Sequence, residues 1–123
     1  MAELAVFVDK DMATAEADIR AALAARGFGV LTEIDVAATL KNKIGVERSA
    51  LKILGACNPG FAHRALEADP EVALFMPCNV VLEQVGDRVK VSAMDPSSMM
   101  QDPGIKEIAD DATKLLDEAL HSI

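Results

Sequence analysis

The sequence predicts one α+β domain spanning residues 1–123. Three observations carry this. Several short stretches alternate their apolar side chains with the period of two that marks a half-buried strand. Two of them, Cys78–Val85 and Arg88–Met94, are separated only by Gly86-Asp87, the spacing of a two-residue hairpin. The C-terminal stretch instead repeats Ile105, Ile108, Ala109, Ala112, Leu115, Leu116, Ala119, Leu120 and Ile123 at helical spacing. A chain of 123 residues suits a single core. Its only aromatics are Phe7, Phe28, Phe61 and Phe75, so alanine must fill much of the helix–sheet contact.

In order, Leu4, Val6 and Val8 form a first strand. Asp9 and Asp11 suit the start of a helix, where carboxylates meet the positive end of its dipole. Met12, Ala15, Ile19, Ala22 and Leu23 are its apolar stripe, and Gly27 ends it. The second strand runs from Phe28 to Ile34, with Phe28, Val30, Thr32 and Ile34 on one face. Asp35 caps a short helix to about Lys43, and Gly45 stops it. Ala50 to Cys57 is the third strand, with Leu51, Ile53, Gly55 and Cys57 expected inward. Asn58 then caps a helix that has Pro59 at its first position, where a missing N–H costs nothing. Phe61, Ala62, Ala65 and Leu66 form its buried stripe, while His63, Arg64 and Glu67 face away. Pro70 ends it. Residues 72–76 fit either strand or helix, and 95–103 form a connection before Asp102 caps the last helix. On that helix Asp110–Lys114 and Lys114–Glu118 have the spacing of ion pairs.

The hairpin turn fixes a register. Val85 faces Arg88, Glu83 faces Lys90, Val81 faces Ser92 and Asn79 faces Met94. On the apolar side Gln84 meets Val89, Leu82 meets Val91 and Val80 meets Ala93. One further step sets Cys78 inward, opposite Asp95.

The formal net charge of −8 repels phosphates, and no cluster of Lys and Arg overcomes it locally. Nucleic acid and anionic membrane are therefore not expected partners. The first eight residues lack a basic, apolar leader, and no run approaches a membrane span. Two cysteines without a dense pattern fit a reducing cytoplasm.

Special chemistry concentrates in Cys57-Asn58-Pro59-Gly60-Phe61-Ala62-His63 and its echo Pro77-Cys78-Asn79. If the third and fourth strands are antiparallel neighbours, both thiols lie at one end of the sheet, and Cys57 precedes a helix N-terminus that favours thiolate. The plain alternative is two small buried residues at strand ends. Met94, Met99 and Met100 fall near Cys78, a set that suits either a soft cation or flexible packing. His63 lies on the outward helix face, and Glu33 with Asp35 is a weak acid–base pair. No CxxC, HExxH, phosphate loop or serine elbow is present, so no catalytic residue, metal ligand set or cofactor is assigned.

The strings Gly27-Phe28-Gly29-Val30-Leu31-Thr32-Glu33-Ile34-Asp35, Leu54-Gly55-Ala56-Cys57-Asn58-Pro59, Ala65-Leu66-Glu67-Ala68-Asp69-Pro70, Leu74-Phe75-Met76-Pro77-Cys78-Asn79-Val80-Val81 and Ser92-Ala93-Met94-Asp95-Pro96 resemble the bacterial family called domain of unknown function 302. The resemblance covers nearly the whole chain. It implies a curved antiparallel sheet in the order β-α-β-β-β-β-α, with short extra helices after the second and third strands. It further implies an architecture similar to half of the TATA-box-binding protein, and a homodimer. It implies no activity, and fold analogy alone is no argument for DNA binding.

Two function classes follow. The first is a dimeric small-molecule-binding or sensory module with a pocket at Cys57, Asn58, Cys78, Asn79 and Asp95. The second is thiol redox or soft-metal handling on Cys57 and Cys78. A purely structural dimer module is the third reading.

Overall fold

The computed structural model describes residues 3–123, apart from the side chains of Glu3 and Met99. The expectation for Met99 falls on one of these side chains, outside the described residues. Strand β1 (Glu3–Val8) leads into helix α1 (Met12–Ala24), and β2 (Gly29–Asp35) into α2 (Val36–Ile44). Strand β3 (Leu51–Cys57) leads into α3 (Pro59–Ala68) and a 3₁₀ turn, Pro70–Phe75. The hairpin β4 (Cys78–Val85) and β5 (Arg88–Met94) is followed by one helical turn, α4 (Pro96–Met99), and the long α5 (Pro103–His121). The five strands form one antiparallel sheet in the order β1-β5-β4-β3-β2.

The caps are those the sequence implies. Asp11, Asp35 and Asn58 accept backbone N–H bonds from Thr14, Ala38 and Phe61, each satisfying a donor the helix start leaves open. Gly45 closes α2 in the left-handed conformation at φ 70°. The hairpin register also holds, from Val80 opposite Ala93 to Val85 opposite Arg88. Gly86 takes φ 61°, as a two-residue turn with glycine first requires.

The core lies between one sheet face and helices α1 and α5. Ile19 and Leu23 of α1, Leu116 and Leu120 of α5, and Leu54, Val80, Leu82, Val89 and Val91 of the sheet are all buried together. The expected stripes of both helices point inward, with Met12, Ile108, Leu115 and Ile123 half-buried at their margins.

Four expectations change. On β3, Leu54 and Ala56 face the helices; Leu51, Ile53 and Gly55 point the other way. Both faces of this interior strand are apolar, so alternation alone does not choose between them. On β2 a bulge between Val30 and Thr32 changes the face. Val30 therefore pairs with Ala56 on the core side, while Thr32 and Ile34 pair with Gly55 and Ile53 on the other. Leu66 of α3 is 38% exposed, and Ala65 alone is fully buried there, because α3 covers the end of the sheet rather than its middle. On α5, Lys106 reaches Asp110 at 3.3 Å, and Glu118 lies 3.8 Å from Arg26 of the neighbouring α1 turn.

Gly55 marks a close approach. A Cβ there would collide with Thr32 Oγ1 and sit 2.8 Å from Pro77 Cγ. Only glycine lets the residue before β4 and the bulged edge strand close over β3.

Candidate functional site

Antiparallel pairing of β3 with β4 sets Ala56 opposite Cys78. The end of β3 and the start of β4 therefore share one end of the sheet, and both free thiols are there. Cys78 shares the core-facing side with Ala56. Cys57 is one residue further on, where the strand turns into the Asn58 cap, and that turn brings it to the same cavity. This cavity holds about 60 Å³. Its walls are Ala56, Cys57 and Cys78 from the sheet, Phe61, Ala62 and Ala65 from α3, Val72 from the 3₁₀ turn and Met76 just after it, and Ile108, Ala109 and Ala112 from α5. Phe28, Asn58, Pro77, Pro96 and Met100 complete it. Phe28 and Phe61 meet edge to face with centroids 6.5 Å apart. A smaller recess shares Cys78, Pro96 and Met100 with this cavity and is lined also by Phe75 and Met94.

Among the sequence-predicted site residues, Cys57, Asn58 and Cys78 line the cavity. Asn79 does not: it pairs with Gly55 and is exposed on the opposite face. Asp95 is adjacent but committed. Its carboxylate accepts bonds from Ser97 N, Ser97 Oγ and Thr113 Oγ1 at 2.6–2.9 Å, tying α4 to α5. Partial burial raises its pKa, but the hydrogen bonds from Ser97 and Thr113 outweigh this and hold it below the ordinary carboxylate value. Asn58 is likewise occupied at both ends: its oxygen caps α3, and its nitrogen lies 3.5 Å from the Arg26 carbonyl. His63 is exposed, as expected.

Burial, and then the neighbouring Cys57, push the Cys78 thiol up to about 11. Cys78 is accordingly protonated at neutral pH, the opposite of an activated nucleophile. Among the described residues, no three or more His, Cys, Asp or Glu side chains converge as a metal cluster. The thioethers of Met76 and Met100 supplement the two thiols as soft donors. The sequence reading missed Met76, Ala62 and Ile108 as walls. The Met76-Pro77-Cys78 string could have pointed to the first, but the contribution of α5 needed the tertiary fold.

Glu33 and Asp35 do not form an acid–base pair. Asp35 caps α2, and Glu33 belongs to an ion network in which Lys52 bonds Glu16 and Glu33 at 2.9 and 2.8 Å, and Arg20 bonds the same two carboxylates. The Lys52 hydrogen bond chiefly holds Glu16 below its ordinary value, and the Glu33 hydrogen bond chiefly raises Lys52.

A five-stranded open antiparallel sheet with helices α1 and α5 packed on one face, and a small apolar cavity at one sheet end, defines the class. The sequence matches the family described as Domain of unknown function DUF302 over residues 4–123, and the chain belongs to that family. It is similar to the crystal structure of an uncharacterized conserved DUF302 protein from Bacillus stearothermophilus, with 33% identity, a TM-score of 0.92 and coverage of 98% of this chain and 97% of that one. No curated protein matches the sequence. Among the described residues, no helix is long and apolar enough to cross a membrane.

Proposed function

We propose that the protein is a dimeric small-ligand-binding module whose site is the cavity between Cys57 and Cys78. The observation that carries this is the size and chemistry of that cavity. Sites for drug-sized ligands occupy roughly 300–1,000 Å³, so about 60 Å³ excludes a nucleotide and suits a guest of few atoms. The walls are alkyl, phenyl, thiol and thioether groups with the one amide of Asn58 and no carboxylate, imidazole or ammonium. Such walls favour an uncharged or soft guest and reject anions. A protonated Cys78 favours ligand contact over thiol redox chemistry. A reducing, cytoplasmic setting keeps both thiols free for that contact.

The dimer reading has separate support. The sheet face away from α1 and α5 carries Phe7, Ile34 and Val85, each 43–50% exposed. On an acidic protein this face is nearly neutral: its described charged strand residues are Glu83, Arg88 and Lys90. Five strands about 4.8 Å apart and about 20 Å long span about 500 Å² of plane, so two copies face to face reach the ~1,000 Å² of a specific interface. Nucleic acid is not a proposed partner.

The site is tested by following the Met76 and Met100 methyl resonances while small neutral molecules and xenon are added. Saturable shifts at these two methyls, reduced by Ala62→Leu, support the site. Unmoved methyls across the panel contradict it.

A further inference from the structure

We propose that the guest of this cavity is a soft monovalent metal ion, of the class of Cu(I), held by the thiols of Cys57 and Cys78 and the thioethers of Met76 and Met100. The inference rests on the reading above, that the cavity is a binding site, and names its ligand.

Four sulfur-bearing side chains line one cavity of about 60 Å³. They come from four different places: the end of β3, the start of β4, the 3₁₀ turn's far end and the segment after α4. The only other polar side chain in the wall, Asn58, is used in capping α3. Ligand softness then selects the metal. Magnesium, calcium and manganese need oxygen donors, and the wall offers no carboxylate. Zinc prefers three or four thiolate, imidazole or carboxylate ligands, and only two such groups are present. Thiolate with thioether is the donor set of Cu(I). Charge balance points the same way. A monovalent cation on one thiolate is neutral overall, and an apolar cavity penalises any net charge. The binding step is an exchange without redox change: Cu(I) takes the place of the proton on one thiol, a Cu–S bond forms, an S–H bond breaks, and one proton leaves to solvent. A second recess that shares Cys78 and Met100 with the cavity adds the thioether of Met94 close by.

The test is an anaerobic titration of the intact protein with Cu(I) against a chromogenic Cu(I) chelator. The wild type is expected to take one Cu(I) per chain, with near-ultraviolet sulfur-to-copper absorption and shifts of the Met76 and Met100 methyls. Cys78→Ser removes a ligand itself and should weaken binding by about 100-fold or more, beyond the roughly 10–100-fold that follows loss of a group that only supports a ligand. Met100→Leu, which keeps the volume, should weaken it several-fold while leaving the fold intact. Copper bound equally well by the Cys57→Ser/Cys78→Ser variant, or unmoved methionine methyls, overturns the proposal. So does failure of the wild type to compete with the chelator. If neutral guests still shift those methyls while Cu(I) does not, the metal inference falls and the binding site stands. If neither does, both fall.

Discussion

Ala56 lies directly opposite Cys78 across the β3–β4 ladder. This pairing is why two cysteines 21 positions apart in the chain line one cavity. It also keeps the Cys78 thiol on the core side of the sheet. Removing the sulfur by Cys78→Ala should cost about 1 kcal/mol, the scale of a small added cavity. Cys78→Ser has a similar shape but buries a hydroxyl among apolar groups, and should cost more, about 1–3 kcal/mol. Urea denaturation of the two variants checks this order. Serine as stable as alanine would mean that water or a polar partner reaches the site.

The thiol also sets a pH dependence. Cys78 is raised from 9.0 to about 11 by burial and by Cys57. The folded state therefore holds this proton more tightly than the unfolded chain. Its contribution to stability is complete below pH 9.0 and falls as pH rises toward about 11. Denaturant melts between pH 8 and about pH 11 should show this decline in the wild type and a smaller one in Cys78→Ala. In the same window, alkylation of Cys78 should accelerate. Rapid alkylation of Cys78 at pH 7 would contradict its protonated state.

The ion network on α1 predicts an effect of opposite sign. Glu16 is depressed, chiefly by its hydrogen bond to Lys52, so its contribution is present above the unfolded carboxylate value and lost as pH falls through the lower folded one. Glu16→Gln should cost about 1 kcal/mol at pH 7. The gap to the wild type should close in acid. A gap that persists there would assign the effect to packing instead.

Gly55 tests the bulged edge. Gly55→Ala puts a methyl against Thr32 Oγ1 and Pro77 Cγ and should cost about 1–3 kcal/mol, as overpacking does. Thr32→Ala in the same chain should recover part of that loss, because the two positions are paired neighbours. Thermal melts of the four-protein cycle measure the coupling, and strict additivity would remove Thr32 as the obstacle.

Association is checked by sedimentation at micromolar concentration. The wild type should be a dimer, and a glutamate at Val85, on the weakly charged sheet face, should shift it to monomer. A wild-type monomer would sink the dimer reading.

Local signals made most of the fold legible. Asp11, Asp35, Asn58 and Asp102 act on backbone groups two or three residues away, so their caps are written in adjacent letters. Gly86-Asp87 fixes six cross-strand pairs in the same way. What stayed hidden depends on distant partners. The inward face of β3 is chosen by α1 and α5, and the face change in β2 comes from one bulged residue that alternation does not mark. Residues 72–76, most of which fall in the 3₁₀ turn, fit either strand or helix because this apolar run has neither period. At the site, the antiparallel pairing of β3 with β4 alone brings the cysteines to one end of the sheet. Asn79 lies on the outer face of the hairpin, pairs with Gly55 of β3 and points away from the cavity, so the shared Cys-Asn motif alone does not make it a wall. The walls from α5 appear only when that helix is docked.

Native mass spectrometry of the protein isolated from its own source tests the central claim most directly. The binding-module account predicts a mass above that of the bare chain, from a bound guest of few atoms or a metal ion, which Ala62→Leu removes while the protein stays folded. A bare-chain mass in the wild type, or an adduct that Ala62→Leu leaves in place, would contradict it.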